Sequence, residues 1–179
     1  MYIYIYMMIQ KALFGAGCFW GVQEYFRNIP GILETKVGYS GGKTNNPTYE
    51  SVCSGNTGHA EVCKISFNPD IISFEELLSV FFQTHDSTTL NRQGADTGTQ
   101  YRSGIFYIDD SQKLMAEKFI KKLINQEAFK DSIVTEVTKL DIFYEAENYH
   151  QDYYGNNKNA PYCRAVIKPK LDKFLNNDY

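Results

Sequence analysis

The pattern of apolar and polar positions divides the chain into short periodic runs. Lys11 to Phe14 is a brief apolar run ending in glycine, which predicts a buried strand. From Cys18 to Arg27, Phe19, Val22 and Phe26 recur at helical spacing, and Pro30-Gly31 marks the stop. Leu33, Thr35, Val37 and Tyr39 then alternate with Glu34, Lys36 and Gly38, a half-buried strand. Residues 40 to 58 read as a long loop, and loops of that length in folded domains are usually functional. Glu61 to Phe67 alternates again. Ser73 opens a helix with a capping box to Glu76, and Leu77, Leu78, Phe81 and Phe82 share one face. A second long loop runs from Asp86 to Thr99. A strand over Tyr101 to Ile108, an amphipathic helix over Ser111 to Ala128 and a strand over Ile133 to Leu140 follow.

The first six elements read strand, helix, strand, strand, helix, strand. That order predicts an α+β fold with a ferredoxin-like split βαβ core, extended by a C-terminal strand, a helix and long loops. With 179 residues and no repeat or linker, one domain over 1–179 is expected. Residues 1–10, MYIYIYMMIQ, read as an N-terminal strand or ordered arm. Residues 144–179, rich in Tyr, Asn and Asp, read as a tail wrapping the surface.

Composition narrows the function. Charged residues make up 22% with a net charge of −3, and no segment concentrates Lys and Arg, so a nucleic-acid surface is not expected. The N-terminal apolar run is too short to span a bilayer and lacks the features of a signal peptide, which predicts a cytoplasmic protein without a membrane partner. Its four cysteines should then be reduced at rest. Their spacing contains no CxxC pair, so no metal site is expected.

The chemistry concentrates in Phe14-Gly15-Ala16-Gly17-Cys18-Phe19-Trp20-Gly21. A dinucleotide loop needs GxGxxG, but the third glycine comes one residue late and Trp20 stands in its place. The alternative is a cysteine at a helix N-terminus, where unpaired N–H groups and the helix dipole lower a thiol pKa. On this stretch alone, a reactive Cys18 and a small buried hydrophobe are equal readings.

Further motifs separate them. Gly17-Cys18-Phe19-Trp20-Gly21 is followed by Gly38-Tyr39-Ser40-Gly41-Gly42, Asn46-Pro47-Thr48-Tyr49 and Gly58-His59-Ala60-Glu61-Val62. His85-Asp86, Asp96-Thr97-Gly98-Thr99-Gln100-Tyr101-Arg102-Ser103 and Tyr149-His150-Gln151 complete the series. This ordered set, over about residues 11 to 155, resembles the peptide methionine sulfoxide reductase type A family. The resemblance implies reduction of the S epimer of methionine sulfoxide, free or in proteins, for repair of oxidised proteins. It implies Cys18 as nucleophile, Glu61 as the adjacent acid, and Tyr49 and Tyr101 as hydroxyls binding the sulfoxide oxygen. Asp96 falls near the substrate backbone, and Phe19 and Trp20 at an apolar pocket for the methyl group. No metal or organic cofactor is implied, and a thioredoxin-type dithiol is the expected reductant of a monomeric enzyme. Cys163, in the Tyr162-Cys163 pair, is the candidate resolving thiol, although the glycines of the family's flexible tail are missing and residues 169 to 175 look helical. Cys53 lies in the first long loop, and Cys63 reads as buried and inert.

The chemistry is coherent with these roles. A sulfoxide oxygen leaves poorly unless it gains a proton, so an acid protonated near pH 7 is needed. Strand alternation puts Glu61 on the face of Cys63, Ile65 and Phe67, where desolvation raises a carboxyl pKa. Two rivals carry different expectations. A cysteine hydrolase would pair Cys18 with His59 or His150 and form an acyl-enzyme. A redox sensor or sulfoxide-binding module would need no nucleophile beside Glu61, Tyr49 and Tyr101.

Overall fold

The buried strand at Lys11 to Phe14 forms as β1 (Gln10–Ala16), and α1 (Phe19–Arg27) starts one residue beyond Cys18. The protein's structure is a computed structural model describing residues 8–176. Most of the arm expected over 1–10, and the last three residues of the tail, lie outside the described residues. The remaining elements are β2 (Ile32–Ser40), α2 (Tyr49–Cys53), β3 (Ala60–Phe67), α3 (Phe74–Thr84), β4 (Arg92–Gln93), β5 (Asp96–Thr97), β6 (Ser103–Tyr107), α4 (Asp110–Asn125), β7 (Glu136–Lys139), β8 (Tyr144–Glu145), α5 (Tyr153–Asn156) and α6 (Lys168–Leu175).

Six strands form one sheet in the order β7-β6-β1-β3-β2-β8, while β4 and β5 make a separate two-stranded ribbon. The central four, β6-β1-β3-β2, pair antiparallel as the split βαβ order requires, and β7 adds in parallel to β6. One sheet face carries Ala12, Phe14, Cys63, Ile65 and Phe67 against α1, α3 and α4. The other carries Leu13, Ala60, Val62 and Phe106 and is closed by Leu140 and Phe143 of the chain leading from β7 to β8. Phe14 is the hub of the helix-side core, its ring stacked on Phe26 (5.4 Å), Phe81 (5.0 Å) and Phe74 (6.0 Å).

Local chemistry sets the boundaries. Ser73 Oγ accepts from the Glu76 N–H and Glu76 Oε2 from the Ser73 N–H, the capping box of α3, worth about 1 kcal/mol. The helix expected over Ser111 to Ala128 stops at Asn125, because Glu127 turns left-handed (φ 49°) and the Ala128 N–H closes back on Leu123 O. In β2, Leu33 does not share the buried face: a bulge between Ile32 and Glu34 leaves it 44% exposed. The strand expected over Ile133 to Leu140 is shorter, since the Val134 N–H donates to Ser87 O instead of joining the ladder. Tyr101 belongs to a 3-10 turn (Thr99–Tyr101) that precedes β6, not to the strand.

Both long loops contain structure. In the first, Thr48 and Ser51 cap each other and start α2. In the second, the β4–β5 ribbon is closed by the Gly98 N–H on Asn91 O. The tail is more than a surface wrap. The Gln151 side chain accepts from the Val37 N–H and donates to Val37 O, pinning the tail to the edge of β2. Beyond it, Tyr154, Cys163, Ile167 and Leu171 bury against Tyr25 of α1.

Phe14→Ala should remove the ring joining α1, α3 and the sheet, and a cavity there costs about 3–5 kcal/mol. Urea denaturation should show the midpoint falling with an unchanged slope.

Candidate active site

The glycines before Cys18 serve the backbone. Gly17 sits at φ +91°, and a β-carbon there would stand 2.6 Å from Gln93 Cγ, so only glycine lets the β4–β5 ribbon close over this turn. Cys18 caps α1, its carbonyl accepting from the Gly21 and Val22 N–H groups. The thiol opens on a narrow cleft shared with Gln93, Asp96, Tyr162 and Lys170.

The expectation of a lowered thiol pKa is corrected. Burial, then the Glu61 carboxylate, raise Cys18 well above the ordinary thiol value, and the Trp20 amide and Tyr162 hydroxyl only partly oppose them. A place at the head of a nine-residue helix does not offset desolvation here. The resting sulfur is therefore a thiol.

Glu61 is 1% exposed, at the start of β3 and directly opposite Tyr39 of β2. Its Oε2 accepts from the Phe19 N–H at 2.9 Å, so the carboxyl sits at the head of α1. Burial raises its pKa to about 8; the Phe19 hydrogen bond lowers it and Asp96 adds to the rise. At pH 7 the carboxyl is mostly protonated, as its place on the apolar face predicts.

Tyr49 opens α2, its N–H donating to Glu147 Oε1 at 2.8 Å and its ring lying over Phe19 and Trp20 at centroid distances of 6.5 and 6.4 Å. Tyr101 comes from the turn before β6, and burial first, then Glu61, Cys53 and Cys18, raise its phenol. Desolvation raises both phenols, so both remain neutral donors. Asp96, on β5, accepts from the Tyr162 hydroxyl, which also stands within hydrogen-bonding reach of the Cys18 sulfur. Glu61, Tyr101 and Asp96 thus act on Cys18 from three segments, Phe19 and Trp20 follow it in α1, and Tyr49 joins the group through its ring contacts with Phe19 and Trp20. Phe19 does not share the stripe of Val22 and Phe26: it is buried with Val37, Tyr39 and Val52, while Trp20 stays partly open.

Several site residues escaped the periodicity. Tyr153 stacks on the Trp20 indole (3.7 Å, 10°) and Tyr162 meets its edge. Glu147 also accepts from the Tyr39 hydroxyl (2.8 Å), and His150 Nδ1 accepts from the Trp20 indole N–H (2.9 Å). The tail's tyrosines and the Tyr149-His150-Gln151 motif were the only signals for them.

Cys163, the candidate resolver, is 0% exposed in a π-helical turn (Cys163–Ile167) and points into the Tyr25 cluster, while its neighbour Tyr162 reaches the site. Cys53 is exposed one helical turn beyond Tyr49, Cys63 is buried in the core, and all four thiols are unpaired. Among the described residues no group of three or more His, Cys, Asp or Glu could hold a metal ion.

The hydrolase alternative finds no base. His59 accepts from the Gly42 N–H and faces Thr44 O, His85 bridges Phe81 O and Ser103, and the Nδ1 of His150 is taken by Trp20. No histidine is among the groups acting on Cys18.

Known proteins resemble this chain in sequence and in fold. The family profile described as peptide methionine sulfoxide reductase matches residues 10–179. The peptide methionine sulfoxide reductase MsrA of Vesicomyosocius okutanii is 53% identical over 167 residues, covering 93% of this chain and 99% of that protein. The reduced form of Mxr1 from Saccharomyces cerevisiae superposes with a TM-score of 0.81 at 36% identity, covering 87% and 89% of the two chains. Mxr1 in complex with Trx2 superposes with a TM-score of 0.58 at 25% identity, covering 85% and 89%. The chain belongs to the peptide methionine sulfoxide reductase family, and it is a methionine sulfoxide reductase.

Because the Glu61 carboxylate adds to the rise in the Cys18 pKa, Glu61→Gln should lower it. Alkylation of Cys18 by iodoacetamide, followed by peptide mass mapping across pH, should show its midpoint moving to lower pH in the variant.

Proposed function

We propose that this reductase acts on the S epimer of methionine sulfoxide, free and within oxidised proteins, with Cys18 as nucleophile, Glu61 as proton donor, and Tyr49 and Tyr101 as hydroxyls holding the oxygen. The observation that carries the reading is the buried, proton-holding Glu61 at the head of the helix that Cys18 caps, bonded to Phe19 at 2.9 Å. A thiol of high pKa beside a neutral acid suits a reaction in which attack and proton transfer are coupled.

Cys18 sulfur attacks the sulfoxide sulfur while Glu61 gives its proton to the oxygen. The Cys18 proton passes to Glu61, restoring the acid. The protonated oxygen then moves from the substrate sulfur to the Cys18 sulfur as the bond between the two sulfurs breaks, so Cys18 is oxidised to a sulfenic acid and the sulfoxide is reduced to the sulfide that leaves as methionine. Tyr49 and Tyr101 donate to the oxygen as charge develops, without changing charge themselves. The partly open Trp20 indole provides the wall for the methyl group over the buried ring of Phe19. Asp96 accepts the substrate's amide N–H once Tyr162 yields to it.

A second thiol condenses with the sulfenic acid, releasing water and forming a disulfide. We assign this step to Cys163, which must leave its buried turn; Tyr162, one residue earlier, already touches both Asp96 and Cys18. A thioredoxin-type dithiol then exchanges with the disulfide. The Mxr1–Trx2 complex supports that choice of reductant. A cycle that ends on a thioredoxin-type dithiol needs a reducing compartment such as the cytoplasm.

The test is stoichiometric: separated S and R epimers are supplied without reductant, and products and cysteine states are mapped by mass. Methionine from the S epimer alone, with a Cys18–Cys163 disulfide, is expected. A Cys18–Cys53 disulfide, or Cys18 left as sulfenic acid, would keep the reduction and remove Cys163 from it. No product from either epimer by a folded protein would overturn the reading. The single-turnover rate should fall as pH rises through about 8, where Glu61 loses its proton. Glu61→Gln should lower the neutral-pH rate by roughly 10²–10⁴-fold and abolish this limb.

A further inference from the structure

Tyr149-His150-Gln151 stands out in the sequence, yet the proposed chemistry uses none of it. In the structure these residues close the 3-10 turn Asn148–His150, which follows directly on Glu147. His150 is 0% exposed, although its segment is otherwise polar. Its Nδ1 accepts from the Trp20 indole N–H at 2.9 Å, which puts the ring's one proton on Nε2. Nε2 has no hydrogen-bond partner and is directed toward Glu147 Oε2 at 3.8 Å. The ring lies among Tyr49 (4.4 Å between centroids), Phe19 (5.2 Å) and Trp20 (5.8 Å), with Tyr149 on its outer side. Glu147 meanwhile holds the Tyr49 N–H and the Tyr39 hydroxyl. One short turn thus grips both the residue proposed to hold the oxygen and the wall proposed to hold the methyl group.

We infer that His150 is a positioning residue for substrate binding: by accepting the Trp20 indole N–H it sets the plane of the methyl-pocket wall, and through the Glu147 turn it keeps that wall in register with Tyr49. The ring bears on Trp20, Phe19 and Tyr49 and is not among the groups acting on Cys18, so its effect falls on binding. It also makes binding sensitive to acid. The groups facing it are Glu147, Tyr49 and Tyr149, with Tyr39 beyond Glu147. Glu147 favours the charged ring, but burial dominates and lowers the His150 pKa, so the neutral ring persists through neutral pH. When Nδ1 does gain a proton, two N–H groups confront one another and Trp20 loses its anchor.

The inference rests on the proposed role of Trp20, yet it can be read without turnover. Trp20 is the single tryptophan of the chain, so intrinsic fluorescence reports its surroundings directly. His150→Phe keeps a ring of similar shape and removes the acceptor. It should shift and broaden the Trp20 emission and raise KM about tenfold with kcat nearly unchanged, the equivalent of one lost buried hydrogen bond. His150→Asn, whose side-chain oxygen can stand near the Nδ1 position, should recover most of the KM. In the wild type the emission should change as pH falls below the ordinary histidine range, and in His150→Phe this transition should vanish. A folded His150→Phe with unchanged emission and KM would overturn the inference. So would a fall in kcat at constant KM, which would place His150 in the chemistry. If His150→Phe does not fold, the wild-type acid transition in Trp20 emission decides, and its absence counts against the inference. A protein that reduces no sulfoxide yet shows the emission changes would fail the proposed function while keeping the contact.

Discussion

The hydrogen bond from the Phe19 N–H to Glu61 Oε2 ties the head of α1 to the start of β3, and the site is arranged around it. An unpaired N–H at a helix N-terminus needs an acceptor, and a buried carboxyl needs a donor. Each solves the other's problem, and the solution fixes Cys18 one residue before the donor. The sheet supports it from below: β1 delivers the turn to Cys18, and the β2–β3 pairing places Tyr39 opposite Glu61. Gly17 lets the ribbon bearing Asp96 close from the side.

This arrangement has a thermodynamic cost with a definite sign. Glu61 has a folded-state pKa raised to about 8, so the folded protein holds a proton that the unfolded chain releases at lower pH. Its contribution to stability is complete below the unfolded carboxyl pKa and is lost as pH rises through about 8. A carboxyl in water would not weaken the fold in this way, but it would not hold a proton at neutral pH either. The helix-end N–H groups of Trp20 and Phe19, which favour a thiolate and a carboxylate respectively, are outweighed at both groups by desolvation.

Much of this was legible from the residues. Alternation placed Glu61 on the buried face of β3, and the βαββαβ order gave the split βαβ sheet, because both follow from local period and short connections. What failed was set by tertiary context. The thiol pKa of Cys18 depends on how much water the tail and ribbon exclude, which no local pattern encodes. Leu33 alternates correctly in sequence, but a bulge turns it outward. Tyr153, Tyr162, Glu147 and His150 come from the tail, where there is no hydrophobic period to read; Tyr153, Tyr162 and His150 fold onto Trp20 of α1, and Glu147 onto Tyr39 of β2 and Tyr49 of α2, all through contacts distant in sequence.

The proposed chemistry requires a carboxyl that keeps its proton at neutral pH beside a protonated thiol. The direct measurement is a carbon NMR titration of the Glu61 side-chain carboxyl in the reduced protein, assigned by its loss in Glu61→Gln. A midpoint near 8 is the expected result. A midpoint near the ordinary glutamate value of about 4.3 would contradict the account, since Glu61 would then be an anion at neutral pH with no proton to give.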